Sequence, residues 1–322
     1  MVNKYRQMLS YILIIILMKY ILPILICGSG NQFVGLKETI IIAKNLNRCL
    51  ILPDFIPHGT IRNNSNISYK FESTFNVDKL KSIVDVKYVN EIDFTGLRNV
   101  YQFRCEKEDK IVNNYMQISD KVYSTTFAHT KSIRLNKNYI QTDSDFNELN
   151  KIRDDILVLC GVFNNIKLSN CLKNHCLKCN FHPYFEPMYK TITQNLLRSS
   201  HIIELANMYI KKKFQNQNYI GFHLRTLDII GNKTFKELYN NYTEKEVYNY
   251  LIQLCIKHNF NYKNIFIAMP PAARKIKDVQ IINSDKINFY DDNIDPYYAS
   301  LVEQEILYQS KLFIQSPTNC PD

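Results

Sequence analysis

Residues 20–53 run Tyr20-Ile-Leu-Pro-Ile-Leu-Ile-Cys27, Gly28-Ser29-Gly30-Asn31-Gln32, Phe33 through Asn47, then Arg48-Cys49-Leu50-Ile51-Leu52-Pro53. Tyr20 to Cys27 is a short, branched, apolar run that stops at Gly28, the pattern of a strand buried on both faces of a parallel sheet. From Val34 to Leu46 the spacing turns helical, with Leu36, Ile40 and Ala43 on one face. Cys49 to Pro53 reads as a second buried strand, stopped by its proline. Strand, glycine turn, helix, strand is the βαβ unit of a Rossmann-like sheet, so the fold class is α/β. Three of the eight glycines in the chain (Gly28, Gly30 and Gly35) fall in this short stretch. Such clustering predicts a turn where the backbone closely approaches something else.

The alternation returns further on. Ile156 to Cys160 is a candidate buried strand, and Met188 to Phe214 is mostly helical, ending in Lys211-Lys212-Lys213. Lysines in a last helical turn suit the helix dipole, a solvated structural role. Tyr219 to His223 is strand-like, Glu244 to His258 helical, and Asn264 to Met269 a strand stopped by Pro270 and Pro271. Tyr298 to Ser310 is helical and Lys311 to Ile314 strand-like. The stretch from Thr60 to Asn150 is polar and weakly periodic, and reads as loops and remaining elements of a first domain. Two Rossmann-like halves facing a cleft are expected, 19–185 and 186–322.

The chain has 322 residues, 46% of them hydrophobic and 22% charged, which excludes disorder as the main state. No repeat of fixed period is visible, so solenoids and propellers are set aside. Lys and Arg number 40 against 30 Asp and Glu, giving +10. That favours an anionic partner without choosing among nucleic acid, acidic lipid and a phosphorylated small molecule. No basic-aromatic interleaving or reader motif supports nucleic acid.

Lys4 and Arg6 precede an apolar run from Leu9 to Met18. This predicts a signal peptide, or a signal anchor if the run continues past Lys19, over residues 1–18. The plainer alternative is a buried helix. Nine cysteines suit a secretory lumen, and sequons stand at Asn63, Asn66, Asn232 and Asn241. Cys171, Cys176, Cys179 and His182 are spaced closely enough for zinc, but only one Cys-x-x-Cys pair is present. Loop disulfides are the plainer reading. Asp143-Ser-Asp145 imitates a metal-binding Asp-x-Asp and reads better as a solvated loop.

His223-Leu-Arg225-Thr-Leu-Asp228 lies where a buried strand ends, the place where open α/β sheets bind ligands. Arg225 offers a planar fork for phosphate oxygens, and Asp228 and His223 can support it. An Arg–Asp salt bridge capping a loop is the equal alternative on spacing alone.

Taken together, Gly28-Ser29-Gly30-Asn31-Gln32, Leu46 to Pro53, and His223-Leu-Arg225-Thr-Leu-Asp228 resemble the GDP-fucose protein O-fucosyltransferase family. Leu301 to Cys320 resembles that family's acidic helix and Phe-Ile strand before a Ser/Thr-rich loop. The resemblance implies a GT-B-like fold, two Rossmann-like domains facing a donor-binding cleft. It implies a glycosyltransferase that moves fucose from GDP-fucose, with inversion, to a Ser or Thr hydroxyl of a protein in the endoplasmic reticulum or Golgi lumen. No metal or other cofactor is implied. Arg225 would hold the β-phosphate and stabilise departing GDP, and Asn31 would contact the donor near the reacting sugar. Gly28, Ser29 and Gly30 would let backbone close on the ligand, His223 and Asp228 would support the nucleotide, and Ser316 and Thr318 would offer hydroxyls. Ser29 stands where some relatives carry a Glu proposed as general base, so the base is unassigned and phosphate-assisted deprotonation is an alternative. The sequence stops at Asp322, before the closing helix usual in the family. A lumenal relative that only binds nucleotide or protein, and a glycan fucosyltransferase of the same fold, are the alternative readings.

Overall fold

The computed structural model describes residues 18–25, 28–56, 67–95, 97–102, 131–135, 146–160, 186–223, 244–260, 264–268, 287–288, 290 and 294–315. The chain forms two compact units, residues 1–197 and 198–322.

In the first unit the elements are β1 (Tyr20–Ile24), α1 (Ser29–Asn45), β2 (Cys49–Ile51), α2 (Phe71–Thr74), α3 (Val77–Lys81), β3 (Val86–Lys87), β4 (Asn99–Gln102), β5 (Lys131–Arg134), α4 (Asn147–Asn150), β6 (Ile156–Cys160) and α5 (Glu186–Asn195). The strands lie in the order β3-β2-β1-β6-β4-β5, with every pair parallel. Parallel strands demand crossover connections and leave their carboxyl ends on one edge. β1 stands inside this sheet, its Ile21 and Leu22 wholly buried between β2 and β6. Leu22, Ile24, Ile51, Val100 and Val158 share one core cluster.

Helix α1 ends in a Schellman closure. The Arg48 amide donates to the Ala43 carbonyl at 2.9 Å and the Asn47 amide to that of Lys44 at 3.3 Å. The closure needs a left-handed residue after the cap, and Asn47 takes it with φ 50°. Asparagine tolerates that conformation better than most residues, which explains its place between helix and strand.

The second unit holds α6 (Ser200–Phe214), β7 (Ile220–His223), α7 (Glu244–Lys257), β8 (Ile265–Ala268), β9 (Ile287–Asn288), α8 (Pro296–Tyr308) and β10 (Leu312–Gln315). Its sheet runs β10-β7-β8-β9, again parallel throughout. The Asp295 carboxylate caps α8 by accepting from the Tyr297 amide at 2.8 Å, and Pro296 opens the helix. Gly221 lies under the end of α8. A Cβ there would stand 2.7 Å from Ser310 Oγ and 3.1 Å from Leu307 Cδ2. The Tyr219 hydroxyl donates to the Ile306 carbonyl at 2.6 Å, and its ring stacks on Phe214 at 4.4 Å.

Three expectations change. The helix read from Val34 begins at Ser29, so the glycine turn is the first turn of the helix itself. Residues 188–214 form two helices, because Leu196 to Ser199 interrupt them. Helix α5, read with the second domain, packs on α1, and the compact units meet at Leu197 instead of 185. Lys211, Lys212 and Lys213 occupy the exposed last turn of α6 as expected. Residues 1–17 and the Cys171–His182 and Asp143–Asp145 stretches lie outside the described residues. Among the described residues no helix is long and apolar enough to cross a membrane, and no cluster of acidic, Cys and His groups could hold a metal.

Candidate active site

Four residues after β1 ends, at the carboxyl edge of the first sheet, Gly28 serves as N-cap of α1 with φ −72° and ψ 165°. The first intrahelical bond runs from the Gln32 amide to the Gly28 carbonyl at 3.0 Å. A helix start concentrates backbone N–H groups and the positive end of the macrodipole, and this helix is 17 residues long. No acidic side chain stands in its first turn and no side chain caps it. The positive end is therefore left for an anionic or strongly polar ligand. β1 also lies where the strand order turns, between β2 and β6, the switch point at which open α/β sheets take their ligands.

Neither Gly28 nor Gly30 adopts a left-handed φ, and among the described residues a Cβ on either would meet, outside its own turn, no atom within 4 Å. Nothing among the described residues calls for glycine at these positions. The space over them suits something brought in from outside, a more specific reason than the tight turn expected from sequence. Asn31 is partly exposed at the third helical position.

The turn is held from beneath. Gln32 is buried, and its side-chain amide donates to the Ile56 carbonyl beyond β2. Phe33 packs edge-on against Phe75 at 5.1 Å and Phe55 at 5.8 Å, and Phe71 completes the cluster. The buried carboxylate of Asp54 meets Lys70 at 2.9 Å and Ser68 at 3.1 Å, fastening the same segment. The sequence pattern assigns Gln32 no role. A polar side chain amid helical apolar spacing was the available signal.

Arg48, which the sequence shows only as part of a motif, is also buried. Its guanidinium donates to the carbonyls of Tyr20 (3.0 Å), Asp154 (2.9 Å) and Ile152 (3.1 Å). Burial lowers its pKa, while Asp154 and Asp155 oppose the shift. The Asp154 carboxylate in turn accepts from Asn99 and from the Tyr101 hydroxyl, which burial and Asp154 push up to about 12. This network lies at the amino ends of β1, β6 and β4. It is a clamp that sets the strands, remote from the turn.

In the second unit, His223 ends β7 in register with Ala268 of β8 and Gln315 of β10. β7 and β10 therefore end side by side at the same edge of one sheet. Arg225, Asp228, Ser316 and Thr318 themselves lie outside the described residues. The predicted residues thus fall into two groups, Gly28 to Asn31 in the first unit and those from His223 to Thr318 in the second.

A family model described as GDP-fucose protein O-fucosyltransferase matches residues 24–253, more than two thirds of the chain. Among solved structures, POFUT1 in complex with GDP-fucose is similar with a TM-score of 0.61 and 17% identity, over 92% of this chain and 91% of that one. POFUT1 in complex with GDP gives 0.61 and 17%, over 92% and 90%. The fucosyltransferase NodZ from Bradyrhizobium gives 0.49 and 12%, over 94% and 89%. At such identities the POFUT1 likeness shows the fold, two Rossmann-like sheets of GT-B type. No curated protein sequence matches the chain.

Proposed function

Because this chain belongs to the GDP-fucose protein O-fucosyltransferase family, we propose that it transfers fucose from GDP-fucose to a Ser or Thr hydroxyl of a secretory-pathway protein, with inversion at the sugar carbon. The observation that carries the reading is the start of α1. Among the described residues, two glycines there leave unfilled space over a helix N-terminus whose first turn carries no acidic group, at the switch point of the sheet. That end accepts the electron-rich donor and repels no phosphate.

In the proposed reaction the acceptor oxygen attacks the anomeric carbon, and the bond from that carbon to the β-phosphate oxygen breaks. GDP leaves with the bonding electrons. Charge grows on the β-phosphate, and Arg225, two residues past the end of β7, neutralises it without a metal. Stabilising a developing leaving-group charge is commonly the largest part of such catalysis. Asn31 orients the donor near the sugar, and Ser29 and the glycines give backbone access. His223, Asp228, Ser316 and Thr318 hold the nucleotide. With no carboxylate in the first turn of α1, the hydroxyl proton passes to a phosphate oxygen of the departing GDP.

The test is incubation of the purified full-length chain with GDP-fucose and folded secretory domains bearing exposed Ser and Thr. Mass spectrometry should find one fucose on a hydroxyl, removed by β-elimination. Transfer to glycans alone would favour the glycan enzyme, and GDP binding without turnover would favour an inactive relative.

A further inference from the structure

Helices α6, α7 and α8 lead into the parallel strands β7, β8 and β10, so their carboxyl ends gather at the amino edge of the second sheet. That edge is opposite the carboxyl edge, where the nucleotide is proposed to bind. Five exposed lysines stand there: Lys211, Lys212 and Lys213 in the last turn of α6, Lys257 in that of α7, and Lys311 just before β10. Residues 205–223, 247–260 and 306–315 contain no Asp or Glu. Glu305, one turn back on α8, accepts from the Gln309 side chain at 3.0 Å and offsets one lysine at most. A helix end carries about half a negative charge, so three ends ask for about one and a half positive charges. The lysines leave a surplus of about two to three charges beyond that need, available to an anionic partner.

The same edge holds a cleft of about 360 Å³, the size of a small-ligand pocket, between residues 216–219 and 309–311. Its wall is built to donate. The Asn218 carbonyl can only accept, so the Asn264 side chain, which reaches it at 3.1 Å, presents its amide nitrogen there. The same nitrogen meets Gln217 Oε1 at 3.0 Å, which leaves the Gln217 amide nitrogen as the end that can serve a ligand. Asn264 is buried, so this arrangement is fixed from behind. Lys311 adds an ammonium group to the same cleft. Asn216 at the lip and Gln215 before it both hold left-handed φ, 62° and 51°, a conformation usually given to glycine after a helix. Backbone strain held at such a place marks a site of function.

We propose that this edge is a membrane-contact face whose cleft takes the phosphate headgroup of an acidic phospholipid. Apolar side chains decide for a lipid surface over a soluble polyanion. Among the described residues of the second unit, the large apolar side chains left exposed are Met208, Tyr250, Ile256, Tyr308 and Phe313. All but Tyr250 lie within three residues of one of the five lysines. Tyr308 is 76% exposed and Ile256 69%, each in the last turn of its helix. A soluble polyanion makes no use of such groups. A bilayer interface takes lysine ammonium groups at its phosphates and rings and aliphatic chains just below them.

The chain contains no Trp, so full-length Tyr308→Trp places a lone indole on this face and reports its surroundings whatever residues 1–18 do. The probes are vesicles of phosphatidylcholine alone and with about one third phosphatidylserine. With acidic vesicles the emission should shift to the blue and be quenched by brominated acyl chains. Neutral vesicles should bind about tenfold more weakly or worse. In the same background, Lys211→Gln, Lys212→Gln and Lys213→Gln together should weaken acidic-vesicle binding about a hundredfold, at about fivefold per lysine, and Lys311→Gln alone about fivefold. These losses should shrink in high salt. An emission unmoved by acidic vesicles overturns the proposal, as does equal affinity for neutral ones. Undiminished vesicle binding in both lysine variants overturns it as well. A shift with heparin or with inorganic phosphate, and none with vesicles, makes the face a soluble-anion site only and also overturns it.

Discussion

The guanidinium of Arg48 donates to the carbonyl of Tyr20 at 3.0 Å, joining the residue that precedes β2 to the residue that begins β1. β1 leads into the glycine turn and α1 leads out of it, so this contact closes a loop around the site from its far side. The same side chain reaches Ile152 and Asp154 before β6, and so fixes three elements at once.

Removing Arg48 should therefore unfold the first unit before it affects chemistry. Arg48→Ala strands several buried carbonyls, and we expect a loss of about 3–5 kcal/mol. Arg48→Lys, which cannot fork to three carbonyls, should recover less than half. Urea denaturation followed by circular dichroism measures both. A loss under about 1 kcal/mol would show that water replaces the clamp.

Gly30→Ala should separate stability from function. It lies inside a helix, its Cβ meets open space, and its φ is not left-handed. Alanine should raise stability by about 0.4–1 kcal/mol. It should also weaken GDP-fucose binding, because the new methyl occupies the space reserved for the donor. Thermal melts and titration together decide the matter. A stabilised variant with unchanged affinity would remove this turn from the donor site.

Gly221→Ala should do the opposite. Its Cβ would stand 2.9 Å from Ser310 Cβ as well as 2.7 Å from the hydroxyl. Overpacking of this kind costs about 1–3 kcal/mol. Ser310→Gly in the same chain should restore most of it, and melting of the double variant provides the check.

Alkaline pH should destabilise the protein before neutral pH does. Burial, aided by Asp85, pushes Cys49 from its ordinary 9.0 up to about 11, and Tyr101 and Tyr189 rise to about 12. Each group is neutral when protonated, and each folded value exceeds the unfolded one. Their stabilising effect is thus complete below about pH 9 and is lost as pH climbs toward 11 and 12. Unfolding free energy should fall across that window, and Cys49 should resist alkylation at pH 8 in the folded chain. Rapid labelling of Cys49 under native conditions would contradict its burial.

The first βαβ unit was legible because apolar runs at strand and helix periods flank a glycine cluster. The start of α1 was not, since Ser29, Gly30 and Asn31 are weak helix formers and tertiary contacts through Gln32 and Phe33 hold them helical. β4 (Asn99–Gln102) and β5 (Lys131–Arg134) escaped notice because Asn-Val-Tyr-Gln and Lys-Ser-Ile-Arg lack a continuous apolar run. The clamp of Arg48 was invisible for another reason. Its carbonyl partners stand more than 100 residues away at Ile152 and Asp154, and any residue type presents a carbonyl.

The most direct test of the account is calorimetric titration of the full-length chain with GDP, in wild type and in Arg225→Ala. The account predicts micromolar binding by wild type and loss of about two orders of magnitude or more in a variant that melts at the wild-type temperature. A folded Arg225→Ala protein that binds GDP as tightly as wild type would contradict it.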